Sequence, residues 1–266
     1  MYRVTSGSLN TAVGVGSLSG PNVTGTYNVA VGVNAGVNIV GGSSNTCVGP
    51  TSGAAISSGQ LNVAIGDSAF GNGANQSSGS NNVAIGNAAM YSSNVITGAD
   101  NIGIGRDTFK ALSIGNNNVG IGFSALNAVI NGGGNSVVGA AAGARITSGD
   151  NNSLLGNDAG GRITTGASNV AIGISSLSGS SNVTSGSNVA IGNQALYTGA
   201  VPLTGTENTG IGVNAGRNLS TGQYSIFIGS NAGYSSNAIT GNDNIGIGRD
   251  TFRNLSSGAT NVAIGQ

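Results

Sequence analysis

The sequence predicts an all-β chain, a parallel β-solenoid of about fifteen rungs. Three observations predict it. First, a five-residue phrase, Asn-Val-Ala-Ile-Gly in its cleanest form, recurs fifteen times, closing on Gly14, Gly32, Gly49, Gly66, Gly86, Gly105, Gly122, Gly139, Gly156, Gly173, Gly192, Gly212, Gly229, Gly248 and Gly265. Second, the spacing between those glycines is 17 residues or 17 plus an insertion of one to three. A fixed period of this kind marks stacked structural units. Third, no stretch sustains a 3.6-residue apolar period over a helical length, so helices are not expected.

Each rung is read from its closing glycine. The residue just before it is always aliphatic (Val13, Val31, Val48, Ile65 and onward), and the residue three before is Val, Ile, Thr or Ser. These two positions share a strand face, because strand side chains alternate. That face is expected to fill the inside of the coil.

The residue two before the glycine lies on the opposite face and is never polar. It is Ala or Gly in most rungs, and Cys47, Val137, Leu154 and Phe227 in the others. A strand apolar on both faces is one buried on both faces. This column is therefore expected to point outward against a second subunit. The interface candidates are Ala30, Cys47, Ala64, Ala84, Ala171, Ala190, Phe227 and Ala263.

Four before the glycine stands Asn in fourteen of the fifteen rungs, with Ser225 the exception. Stacked in register at roughly 4.8 Å, these amides would bond up and down a column. The closing glycine suits a corner with positive φ or close backbone approach. Three after it the residue is always Ala, Ser or Thr, and seven after it, in 17-residue rungs, comes another aliphatic such as Ile39, Ile56 or Ile146. Gly/Ser/Thr turns follow. Each rung is thus expected to offer two short strands and two turns. Residues 1–266 read as one continuous solenoid of 17–20-residue coils, with both ends falling inside a coil. Residues 86–109 recur at 229–252 with 19 of 24 positions identical, so blocks of rungs have been duplicated.

Composition narrows the function. Glycine contributes 50 residues, charged residues are 6% and the net charge is zero. Nucleic acid is not an expected partner, since phosphate neutralisation needs clustered cations. No stretch approaches the roughly 20 apolar residues of a membrane-spanning helix, so no membrane insertion is expected. The start, Met1-Tyr2-Arg3, carries no apolar signal region. Histidine is absent and Cys47 is the single cysteine. The commonest general base and metal ligand is therefore missing, and a single cysteine without histidine is a poor nucleophile candidate. The expectation is a protein that is not an enzyme, with no cofactor and no metal. The carboxylate pairs Asp243/Asp250 and Asp100/Asp107 imitate a glycosidase pair, but turn chemistry and pairing with Arg249 and Arg106 account for them. Cys47 reads as a small buried apolar residue.

The phrase Asn-Val-Ala-Ile-Gly, the small residue three further on and the Gly-x-x-Asn approach to the next strand resemble YadA-type head repeats. Those repeats belong to trimeric autotransporter adhesins, and related 17-residue versions occur in phage and viral fibre proteins. The likeness spans residues 4–266. It implies a left-handed parallel β-roll, a side-by-side homotrimer, and an extracellular attachment fibre on a virion or a bacterial surface whose receptor is a glycan or a protein. The rungs here are longer than the adhesin type, so a wider cross-section is expected.

Insertions fall after Gly14, Gly66, Gly86, Gly173, Gly192 and Gly229 and are expected to loop outward. Three carry a tyrosine five after the glycine: Tyr91, Tyr197 and Tyr234. These are the receptor-contact candidates, because exposed aromatics stack on sugars or partner surfaces. Two other readings stay open: a filament subunit that stacks end to end on itself, and an ice-binding solenoid. The second lacks the exposed Thr ranks that such a face needs.

Overall fold

A computed structural model describes residues 6–71, 76–199 and 201–266. Residues 72–75 of the insertion after Gly66, and Ala200 of that after Gly192, lie outside the described residues, as do Met1–Thr5 at the start of the repeat. The protein is an all-β parallel solenoid of about fifteen rungs, with no helix among the described residues. It divides into two compact units, Met1–Gly134 and Asn135–Gln266.

In the first unit, one three-residue strand per rung pairs with the next in parallel. The strands are β1 (Thr11–Val13), β2 (Val29–Val31), β3 (Thr46–Val48), β4 (Val63–Ile65), β5 (Val83–Ile85), β6 (Ile102–Ile104) and β7 (Val119–Ile121). The second unit repeats the pattern with β8 (Ser136–Val138), β9 (Ser153–Leu155), β10 (Val170–Ile172), β11 (Val189–Ile191), β12 (Thr209–Ile211), β13 (Ile226–Ile228), β14 (Ile245–Ile247) and β15 (Val262–Ile264). Register is uniform: Ala64 lies opposite Ala84, and Ala190 opposite Gly210. The second expected strand is reduced to single bridges, such as Ile56 with Ser77 and Ile163 with Val183. Its aliphatic column is buried all the same (Ile39, Leu112, Ile146, Leu219).

The two faces of the strand are reversed from the sequence expectation. The column two before the glycine points into its own coil: Ala30, Cys47, Ala64, Ala84, Ala171, Ala190 and Phe227 are all 0% exposed in the single chain. Ala263, in the last strand, is half-buried. These interface candidates are therefore withdrawn, since their side chains already touch their own rung. A Cβ added at Gly103 in this column would meet Phe109 and Met90, and one at Gly210 would meet Leu196. The Val/Ile column just before the glycine faces outward instead. The cause is space. A narrow coil accepts a small residue opposite large ones, whereas the β-branched side chains fit an open strand face.

The Asn column is buried with the small one, because positions four and two before the glycine share parity. Asn45 is typical. Its Nδ2 donates to Asn28 Oδ1 (3.1 Å) and to the Gly59 carbonyl (2.9 Å), and its N–H donates to Asn28 Oδ1 (3.0 Å). The ladder runs through Asn62, Asn82, Asn101 and Asn118 in the first unit, and from Asn135 through Asn152, Asn169, Asn188 and Asn208 in the second. Backbone polar groups at the corner are thus satisfied without water.

The closing glycine is required twice over. Its φ lies between 124° and 144° in every rung, a region closed to side chains. A Cβ there would also strike the carbonyl of the next rung's glycine, as at Gly32 against Gly49 (2.5 Å).

Candidate functional site

Two surfaces stand out. The first is the outer face of the short strands. Val48, Ile65, Val138, Ile172, Ile228 and Ile247 are 36–40% exposed, and Val13 and Leu155 more than half. Beside them run the half-buried side chains three before the glycine, among them Val29, Val63 and Val83 in the first unit and Val170, Val189 and Ile226 in the second. In several rungs the residue after the glycine extends the strip: Val15, Val33 and Phe123 in the first unit, Ile174 and Val213 in the second. Parallel sheets ordinarily have both faces covered, and a contiguous exposed apolar patch marks an interaction surface.

The second surface belongs to the second unit and is built from the position five after the closing glycine. In four consecutive rungs that position reads Tyr197, Arg217, Tyr234, Arg253. Parallel stacking in register places them one above another. The Arg217 guanidinium carbon lies 5.0 Å from the Tyr197 ring centroid and 5.6 Å from that of Tyr234. The Arg253 guanidinium carbon lies 6.0 Å from the Tyr234 ring centroid. Cations seated on ring faces at these distances are attracted by the ring quadrupole.

A polar chain from the position two after the glycine supports this stack. Arg217 Nη1 donates to Gln194 Oε1 (2.7 Å) and to Asn214 Oδ1 (3.4 Å). Asn214 Nδ2 donates to Asn231 Oδ1 (3.2 Å), and Asn231 Nδ2 to Asp250 Oδ1 (3.2 Å). Asp250 in turn pairs with Arg253 (3.6 Å) and Arg249 (3.7 Å). Arg217 takes part in no ion pair among the described residues, and its buried Nε has no hydrogen-bond acceptor.

The structure thus brings Tyr197 and Tyr234 together around one guanidinium. Tyr91, in the first unit, is 39% exposed and packs beside Gly71. The position five after the glycine in the following rung is Lys110, whose Nζ is drawn to Asp107 (3.0 Å). Reading down that column in the sequence would have revealed the alternation of Tyr and Arg, and so Arg217 and Arg253, which residue-by-residue inspection missed.

Several carboxylates are tied into local contacts. Asp107 is engaged by Lys110 and by Arg106 (3.7 Å), and Asp158 accepts from Ser178 Oγ (2.8 Å). Asp100 and Asp107 flank opposite ends of β6 at left-handed corners, as Asp243 and Asp250 flank β14. No group of three or more His, Cys, Asp or Glu side chains that could hold a metal ion occurs among the described residues. Cys47 is buried, and burial pushes its thiol up from 9.0 to about 12, so it stays protonated and unreactive at neutral pH.

Fold and surfaces together define a parallel repeat solenoid whose two units each carry an apolar outer strand face, with a Tyr–Arg column in the second. No family model, curated protein or solved structure matches the chain.

Proposed function

We propose that this chain is a structural and adhesive segment of an extracellular fibre, on a virion or a bacterial surface, with no catalytic role. Its solenoid is left-handed, and copies lie side by side as a homotrimer, joined through the exposed Val/Ile columns. The insertion loops face outward and meet a cell-surface glycan or protein receptor. The handedness, the count of three and the setting follow from the resemblance to YadA-type head and fibre repeats.

The observation that carries the reading is the exposed aliphatic face. In both units the column just before the glycine stays exposed rung after rung, a contiguous apolar surface of the kind that a second chain covers. Covering that face with a second copy completes the double-sided burial usual for parallel sheets. The rungs themselves supply stiffness, because each buries its columns only against its neighbours.

Mass measurement under native conditions, supported by sedimentation, tests the proposal. A species of three chains is the expected result. A monomer that stays monodisperse at concentrations well above micromolar overturns it, and open filaments in electron micrographs would replace the trimer with end-to-end stacking.

A further inference from the structure

We propose that the stack of Tyr197, Arg217 and Tyr234 is a binding site for a carboxylate-bearing saccharide, with Arg217 as its anchor. The inference rests on the attachment reading above and names the class of receptor group.

Three features point to it. Arg217 is pinned before any ligand arrives, by rings on both faces and by Gln194 and Asn214 at Nη1. A guanidinium held this way gives up little freedom on binding. Its charge is uncommitted, since Asp250 serves Arg253 and Arg249 instead. Its Nε–H is buried without an acceptor, an uncompensated cost that a carboxylate relieves by reaching the forked edge formed by Nε and Nη2 and accepting from both.

The surroundings select a sugar acid over other anions. Both neighbours at Nη1 are amides, which hydrogen-bond hydroxyl groups as donors or acceptors. A single guanidinium at the site, in a chain of zero net charge, is poor provision for a polyphosphate. The site also differs from simple aromatic stacking, because guanidinium groups take up the ring faces that a neutral sugar would use. Tyr91 and Lys110 make a natural comparison. Tyr91 aligns with Tyr234 in the duplicated block and Lys110 with Arg253 just past its end, but the cation there is a lysine held by Asp107.

The test is calorimetric titration of the full chain with tetragalacturonate, and with a galactose tetramer as the neutral counterpart. The acidic oligomer is expected to bind saturably and more weakly as salt rises. Arg217→Gln should weaken it by about tenfold or more, the size expected for losing a charged hydrogen bond, while Lys110→Gln leaves it unchanged. Equal binding of the neutral tetramer, no binding of the acid, or undiminished affinity in Arg217→Gln overturns the proposal. Should Arg217→Gln not fold, Arg217→Lys takes its place. It keeps a cation between the rings but loses the fork, and full affinity in that variant also overturns the site. A trimer that ignores the acidic oligomer sinks the site alone; a monomer that binds it sinks the fibre reading alone.

Discussion

Phe227 occupies the space that a side chain on Gly233 would need: a Cβ built there would collide with the ring. The same exchange recurs along the core. Leu154 blocks Gly160, and Cys47 blocks Gly53. Where the strand residue shrinks, the partner six residues on grows, as in Gly103 with Phe109 and Ala190 with Leu196. Most rungs therefore hold one large side chain, supplied from either side; where both positions are small, as at Ala30 with Gly36 and Gly210 with Gly216, side chains such as Leu18, Leu196 and Phe227 reach into the space.

Truncating Phe227→Ala should cost about 3–5 kcal/mol, the range for emptying a buried aromatic site. Adding Gly233→Leu rebuilds the pattern of Ala190 and Leu196 and should restore about half of that loss. The remainder reflects leucine in a left-handed corner, worth about 1–2 kcal/mol, and the ring's lost contacts under Gly216 and Gly246. Denaturant unfolding of the two single variants and the double variant measures the coupling. Strict additivity of the two losses would refute the exchange.

The Asn ladder has a weak rung at Ser225. Its N–H still donates to Asn208 Oδ1 (3.0 Å), but Oγ turns to the Gln223 carbonyl (3.2 Å) and no side-chain donor is extended to the next rung's Gly241 carbonyl. Ser225→Asn should stabilise the second unit by about 1 kcal/mol, one net hydrogen bond. Asn45→Ala should destabilise the first by at least about 3 kcal/mol, since it also strips the acceptor from the Asn62 N–H and Nδ2. Thermal unfolding reads both, and a destabilised Ser225→Asn would contradict the ladder.

Much of this architecture was legible in the sequence, because its signals are local. The 17-residue period, the closing glycine and the Asn column each report a single backbone position. The direction of the strand faces was misread by assuming that the bulkiest column fills the core. The Asn column held the contrary answer: if Asn45 and its stacked partners are buried, then Cys47, two residues on, is buried too. Other features had no local signal. Leu18, Phe70, Met90, Phe109 and Leu126 all sit at φ of 45–55°, a region these residues seldom enter. The inter-rung hydrogen bonds hold them there, as from the Leu18 N–H to the Ala35 carbonyl (3.0 Å). Arg217 was legible only after long and short rungs are aligned on the same glycine.

Cys47 gives a pH test. Its thiol is raised by burial from 9.0 to about 12, so the native state keeps its proton longer than the unfolded chain does. The resulting stabilisation is complete below about pH 9 and declines as pH rises towards 12, by roughly 1.4 kcal/mol per pH unit. Cys47→Ala should lose about 1 kcal/mol at neutral pH and lack this extra slope. Unfolding curves for the two proteins between about pH 8 and pH 10 separate the effects. Parallel curves, or rapid alkylation of the native thiol at neutral pH, would contradict a buried Cys47.

Neighbours on β10 separate folding from assembly. Ala171 is fully buried inside the coil, while Ile172, one residue on, is 39% exposed on the outer face. Ala171→Asp places a charge among aliphatic groups with no partner, a defect that costs several kcal/mol. It should abolish the folded rung at any protein concentration. Ile172→Glu leaves the charge in water and should change the stability of a single chain by no more than about 0.5 kcal/mol. Its effect belongs to the contact between copies, where an unpaired carboxylate would be buried once per chain, so the assembled species should give way to monomer. Circular dichroism reads the fold and native mass the assembly. The opposite pattern, a tolerated Ala171→Asp beside an unfolded Ile172→Glu, would mean that the strand faces the other way. An assembly indifferent to Ile172→Glu would remove the aliphatic face from the interface.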